Sequence, residues 1–530
     1  MIYISTRGNS EPLSAAMAIK QGIAIDGGLL VPEFIPEITP EQINAMAAQT
    51  YQERAIAILS LFLTDYTRDE LTEAVTAAYG EERFQPEPAP LIQLNKYNDR
   101  EFMLELWHGP TAAFKDLALQ LLPHLMTIAI RKTDETADIC ILTATSGDTG
   151  KAALEGFRDI PGTRVIVFYP SRGVSEAQRL QMITQEGGNC HVVAVDGTFD
   201  DAQSGVKMLF SDPDLAGLLR EKNILLSSAN SINWGRLVPQ IVYYFSAYAD
   251  LLQRQKIEPG EAVNVVVPTG NFGNILAAWY ARRMGLPIHK LICASNRNKV
   301  LSDFIRNGHY DQRREFYKTN SPSMDILVSS NLERLLFELT GRSEGKVSQW
   351  MSELQSTGHY QIDNLTLHNL QEVFVGGFAD DIGTVKTIRE VYDRCDHMID
   401  THTAVGFNVY SRYAARSGDD TKTIFVSTAS PFKFSGAVGD ALFGSGYGRG
   451  RSEEKLLQEL SAESGMEIPA TLANLGQRPV RHKRLINKEA MRDTVIELLT
   501  AETPAAAEPA AIAPAEPAAP DAAAEAEPDA

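Results

Sequence analysis

Cysteine is scarce. The 530-residue chain carries four, Cys140, Cys190, Cys293 and Cys395, far apart and without a CxxC pair. That spacing indicates neither a zinc site nor a disulfide framework, and no metal is expected. Three of the four sit in or beside apolar, strand-like runs, where buried free thiols in a reducing compartment are the expectation. Long apolar runs are missing as well, and none would span a bilayer. The opening Met-Ile-Tyr-Ile-Ser-Thr-Arg7-Gly8 reads as a short strand and turn, without the basic start and apolar core of a signal peptide. A soluble, cytoplasmic protein is expected. Positive charge is in deficit: 49 Lys and Arg stand against 68 Asp and Glu, a formal charge of -19. Nucleic acid and anionic membrane are therefore not expected as partners, and any anion site must be local. No GxxxxGK[ST] phosphate loop occurs, so ATP is not favoured.

What is present is ordinary globular composition, 44% hydrophobic and 22% charged, in a chain long enough for two or three domains. Up to about residue 90 the pattern is mostly helical, with Glu41 to Ala48, Ala55 to Phe62 and Asp69 to Ala78 as amphipathic segments. The proline-rich Gln85-Pro-Glu-Pro-Ala-Pro90 closes this region as a linker or surface turn. Then the texture changes. Ile139 to Thr143, Val165 to Tyr169, Val192 to Val195, Ile224 to Ser227, Val263 to Val267, Leu291 to Ala294 and Ile424 to Ser427 are continuous apolar runs, not alternating ones. Such runs indicate parallel strands covered on both faces by helices, an α/β architecture. The division expected is 1–90 helical, 91–500 α/β in two subdomains, and 501–530 a disordered tail of Ala, Pro, Glu and Asp that cannot build a core.

Several runs spill into Gly, Ser, Thr and Asn clusters, which should converge on one cleft at the carboxyl ends of the strands. Thr145-Ser-Gly-Asp-Thr-Gly150, Gly270-Asn-Phe-Gly-Asn274 and Ser427-Thr-Ala-Ser-Pro-Phe-Lys-Phe434 are the three. The second, before a helical Ile275 to Met284, has glycines for a sharp turn and amides free at a helix start, the makings of a phosphate cradle. It is not the dinucleotide GxGxxG fingerprint, so NAD is not favoured. In His108-Gly-Pro-Thr-Ala-Ala-Phe-Lys115-Asp-Leu, apolar residues Phe114, Leu117, Leu121 and Leu122 predict a helix with Lys115 in its first turn. An apolar setting and the helix dipole both disfavour an ammonium, and Asp116 offsets this in part. A lysine so placed is suited to attack a carbonyl.

Together, HGPTAAFKD, TSGDTG and GNFGN resemble the fold-type II pyridoxal-phosphate enzymes and, within them, the threonine synthase family. The resemblance extends over YISTRG at Tyr3 to Gly8, DGGLLVPE at Asp26 to Glu33, NSINWGR at Asn230 to Arg236, SPSMDILVSSNLERLLFEL at Ser321 to Leu339, DTHTAVG at Asp400 to Gly406 and STASPFKF. It implies pyridoxal 5'-phosphate as cofactor and O-phospho-L-homoserine as substrate, converted to L-threonine and phosphate by elimination and addition of water. A phospho-lyase or a serine/threonine dehydratase releasing a 2-oxo acid is the alternative enzyme. A cofactor-binding protein without turnover is the alternative class.

By this resemblance Lys115 matches the family's Schiff-base lysine and proton shuttle. Gly270, Asn271, Phe272, Gly273 and Asn274 match its cofactor-phosphate cup, and Thr428 its hydroxyl beside the pyridine nitrogen. Ser146, Gly147, Thr149 and Gly150 match the loop that closes over the substrate carboxylate. Asp148 stands where relatives often carry Asn and is expected to face the cofactor ring or a water. Asn230, Ser231 and Arg236 match the substrate-phosphate segment. His108 and His402 read as positioning or packing residues. Thr401 replaces an expected proline, which predicts a looser turn, and Gly444 to Gly450 reads as a flexible surface connection. A monomer or small homo-oligomer is expected.

Overall fold

In the computed structural model, residues 1–95, 98–172 and 174–500 are described. The stretch 501–530, and with it the expected disordered tail, lies outside the described residues.

All seven continuous apolar runs are strands. They fall in two sheets. The first is wholly parallel, in the order Arg484–Ile486, Cys190–Val195, Thr163–Pro170, Asp138–Ala144, Ile224–Ser227. The second runs Phe374–Phe378, Ile288–Ser295, Val263–Pro268, Thr423–Ser427, Asn98–Glu105, Leu91–Asn95, parallel except for the last pair. Its central strand Val263–Pro268 is buried at every residue, which is why the run shows no alternation. Of the strands outside those runs, Phe374–Phe378, with two glycines, and Arg484–Ile486, with three residues, are edges, whereas Asn98–Glu105 lies between Thr423–Ser427 and the edge strand Leu91–Asn95.

Near the N-terminus, Pro40–Ala45, Tyr51–Phe62 and Arg68–Ala78 each start with a threonine cap whose partner three residues on completes a capping box. The additional helix Ala15–Gln21 and the strand pair Tyr3–Ser5 with Leu30–Pro32 complete the region. It has no core of its own. Tyr3, Phe62 and Tyr280 surround Trp234 at ring distances of 5.4–5.6 Å, and the apolar core continues unbroken into the second sheet. The 20-residue helix Trp234–Gln253 is the shared wall, clamped by a buried Arg54–Asp250 pair at 2.7 Å.

Cys140, Cys190 and Cys293 are buried, and burial pushes each thiol up to about 12, so none is a nucleophile near neutral pH. Among the described residues no helix is long and apolar enough to cross a membrane.

Candidate active site

The strand ends of both sheets feed one cleft of about 710 Å³, lined among others by Lys115, Ser146, Asp148, Thr149, Asn230, Ser231, Arg236, Gly270 to Asn274, His402 and Thr428. Three loops far apart in the chain thus meet, as parallel strands with their carboxyl ends on one side require.

Lys115 opens a helix, but a short one. Lys115–Leu119 has five residues, and the apolar stripe continues in a separate helix, Leu122–Lys132. So short a helix has little dipole, and burial does the work instead. It lowers the pKa of Lys115; Asp148 opposes the shift, while Arg236 and Lys433 add to it. Asp116 does not face the lysine. Its carboxylate accepts from the backbone N–H and hydroxyl of Thr111 at 2.8 and 2.6 Å, and burial raises it to about 6. The acid beside Lys115 Nζ is Asp148, 3.5 Å away. Asp148 also pairs with Lys433 Nζ at 2.6 Å and accepts from Gln178 Nε2 and Ser323 Oγ at 2.9 and 3.2 Å. Burial alone would raise its pKa, yet Lys433 and Lys115 hold the carboxyl well below the usual range.

The Gly270–Asn274 turn differs from expectation in where its strain lies. Neither glycine has positive φ; the left-handed residue is Phe272, at φ 63°, and the helix Gly273–Arg283 follows. The glycines serve close approach. A Cβ on Gly270 would lie 2.7 Å from the Ser323 carbonyl oxygen, and one on Gly273 would lie 3.4 Å from Ser231 Cβ. Asn331 braces this turn: its Nδ2 donates to Asn271 O and to Ser231 Oγ, both at 3.0 Å, joining the two segments expected to hold phosphates. Asn274 Oδ1 accepts from Tyr243 at 2.7 Å and from Tyr244, whereas its Nδ2 is buried without a partner.

Arg236 is buried and has no carboxylate partner among the described residues. Nη1 donates to Ala229 O at 2.6 Å, Nε is buried with no partner, and burial brings the guanidinium down to about 10. A buried cation left so is poised for an anionic ligand.

In the TSGDTG loop, the amides of Gly147 and Gly150 both donate to Thr145 Oγ1 at 2.9 Å. Ser146 and Thr149 line the cleft, and the two glycines stand beside them in the loop. A Cβ on Gly147 would meet the Gln178 side chain at 2.5 Å and one on Gly150 would meet Thr145 at 2.4 Å, so both glycines serve packing.

His108 lies outside the cleft lining, stacked on Trp107 at 4.2 Å and held by Glu105 and Gln85 O at 2.7 and 2.9 Å. His402 lines the cleft. Its Nδ1 meets Asp400 at 2.9 Å, and its Nε2 accepts from the Ser323 backbone at 3.2 Å. The turn at Thr401 is not loose: Asp400 caps the helix Thr401–Ser417 and accepts from His402 N at 2.8 Å. Nor is Gly444 to Gly450 a free connection. A Cβ on Gly448 would lie 2.9 Å from Gly436 Cα, and Arg451 stacks on Tyr447 at 3.6 Å. Ser323, Asn331, Gln178 and Lys433 had no assigned role in the sequence. Ser323, Asn331 and Lys433 lie within the motifs singled out there, but only contact shows what they touch.

Three family models match the chain: Threonine synthase N terminus over residues 2–79, Pyridoxal-phosphate dependent enzyme over 83–354, and Threonine synthase, C-terminal over 403–496. Threonine synthase-like 1 of Macaca fascicularis is 42% identical over 437 residues, 80% of this chain. The chain spans only 57% of the length of that relative. Threonine synthase of Pseudomonas aeruginosa is 40% identical over 445 residues, 84% of this chain and 91% of its own. The crystal structure of a PLP-bound threonine synthase from Brucella melitensis superposes with a TM-score of 0.82 at 36% identity, covering 94% of this chain and all of that one.

Proposed function

We infer the activity from one premise: the chain belongs to the threonine synthase family of pyridoxal-phosphate-dependent enzymes. Its reaction is the conversion of O-phospho-L-homoserine and water to L-threonine and phosphate. The observation that carries this reading is Arg236, a buried guanidinium that has no carboxylate partner among the described residues and lies in the cleft that holds Lys115.

The residues present fit pyridoxal 5'-phosphate. Gly270 to Asn274 line the same cleft as Lys115, where Asn274 Nδ2 is buried without a partner among the described residues and Lys115 supplies a buried amine. When bound, the cofactor supplies an electron sink for the pair left at the substrate α-carbon. The backbone amides of Gly270 through Asn274 would hold its phosphate, and the neutral Thr428 hydroxyl would serve its ring nitrogen. Ser146 and Thr149, with the loop through Gly147 and Gly150, close over the substrate carboxylate. Asn230, Ser231 and Arg236 hold the phosphate ester. Lys115 Nζ would take the proton from Cα and then one from Cβ as the γ-phosphate leaves with its ester oxygen; a proton returned to Cγ, water added at Cβ and a proton returned to Cα complete L-threonine. Asp148 faces Lys115 and Lys433.

The test is to incubate purified protein with O-phosphohomoserine and identify the product. Threonine with equimolar phosphate supports the reading. Release of 2-oxobutyrate would replace it with a lyase or dehydratase, and no product would leave a binding protein. Division into 1–90, 91–500 and 501–530, a cytoplasmic location and a monomer or small homo-oligomer belong to the same proposal.

A further inference from the structure

The reading above gives no task to Lys433. This lysine sits in the single turn Pro431–Phe434, five residues beyond Thr428, and its side chain is completely buried. Its ammonium lies 2.6 Å from Asp148 Oδ1 and donates to Thr111 O at 2.9 Å. The other oxygen of Asp148, Oδ2, lies 3.5 Å from Lys115 Nζ. One buried carboxylate is therefore shared by two buried lysines, and the shorter contact goes to the one with no assigned chemistry.

The consequence follows from charge. A buried carboxylate with a single lysine beside it holds that lysine as an ammonium, which can neither attack a carbonyl nor accept a proton. Lys433 already answers the charge of Asp148 at hydrogen-bonding distance. Lys115 is then left buried, with Arg236 and Lys433 both opposing the pull of the one carboxylate on its proton. Of the remaining neighbours, Gln178 and Ser323 hold Asp148 by neutral hydrogen bonds, His402 meets the Ser323 backbone, and Asp116 acts on Lys433 from beyond Thr111. We propose that Lys433 is a positioning residue for Lys115: by occupying Asp148 it leaves the Lys115 amine free to lose its proton. The low pKa of Lys115 agrees with this arrangement. The same segment, Ser427 to Phe434, thereby delivers both the Thr428 hydroxyl and the lysine that sets the state of Lys115.

This rests on reading Lys115 as the reactive amine, but its test needs neither cofactor nor substrate. The full chain, freed of cofactor with hydroxylamine and dialysed, is reductively methylated across a range of pH, and modification of Lys115 is followed by peptide mass spectrometry. Lys433→Met should raise the Lys115 midpoint by about one unit, so that labelling near neutral pH falls about tenfold. Asp148→Asn should move it the opposite way, and the double variant should fall between the two. Lys433→Arg keeps the charge and should restore a midpoint close to that of the unaltered chain. Should Lys433→Met lower the melting temperature, the double variant, which removes the paired charges of Lys433 and Asp148 together, carries the comparison. A midpoint unchanged in Lys433→Met, or an Asp148→Asn midpoint that rises, overturns the proposal. Failure to turn over O-phosphohomoserine would count against the proposed function and leave this measurement standing.

Discussion

The backbone N–H of Phe114 donates to the carbonyl oxygen of Thr428 at 2.8 Å. The pairing continues as a bridge between Ala113 and Ala429. The loop that carries Lys115 is thus tied to the carboxyl end of the strand Thr423–Ser427, and the lysine and the hydroxyl are set by one backbone contact. Lys115→Ala leaves that contact in place. It should keep the fold and weak cofactor binding while lowering turnover by roughly a thousandfold or more, since one amine carries each proton transfer. Borohydride reduction of the unaltered enzyme, followed by peptide mapping, should place the cofactor on Lys115; label on another lysine would overturn the assignment.

Gly270 and Gly273 should respond differently to the same substitution. In Gly270→Ala the new methyl group meets the Ser323 carbonyl oxygen at 2.7 Å, so backbone must move, at a cost of about 1–3 kcal/mol. In Gly273→Ala the nearest atom is at 3.4 Å and the helix start tolerates the change. Thermal melting should drop for the first and stay nearly constant for the second. Gly273→Asp should weaken cofactor retention, read as visible absorbance after gel filtration, with little loss of fold. Equal melting of the two alanine variants would show that Ser323 yields without cost.

Arg236→Met removes a buried cation that costs the fold free energy, and it also frees the Ala229 carbonyl oxygen that Nη1 now satisfies. These effects oppose each other, so the cofactor-free variant should melt within about 2 °C of the unaltered protein. The Michaelis constant for O-phosphohomoserine should rise at least about tenfold with the cofactor still bound, as loss of a charge-assisted bond of roughly 1.5–3 kcal/mol requires. If cofactor were lost instead, Arg236 would belong to the other phosphate.

Asp116 predicts a pH dependence of stability. Burial raises its carboxyl to about 6 from an ordinary 3.8. Between those values the folded chain holds a proton that the unfolded chain has released, so stability falls as pH rises through this window. Asp116→Asn does not titrate. The unaltered chain should therefore lose stability relative to it from pH 4 to pH 7, by up to about 3 kcal/mol, in urea unfolding followed by circular dichroism. A difference that stays flat over that range would place the Asp116 carboxyl at its ordinary value.

The seven apolar strands, the three capping-box helices and the loops that form the cleft are determined by the sequence alone, because each rests on local rules: burial on both faces erases alternation, a threonine fixes a helix start, and strands that run parallel end on one side. The two sheets, their edge strands and the fusion of residues 1–90 with the main core were decided by tertiary packing. Glycines in Phe374–Phe378 and three residues in Arg484–Ile486 leave no periodic mark. The electrostatics of the cleft were decided at the same level. Lys115 is followed directly by Asp116, yet the carboxylate that faces it comes from Asp148 and is claimed more closely by Lys433. Adjacent residues on a short helix point their side chains in different directions, so neighbours in the chain need not meet. Which charges share a buried space depends on the crossing of elements 33 and 285 positions apart, and no local pattern records that.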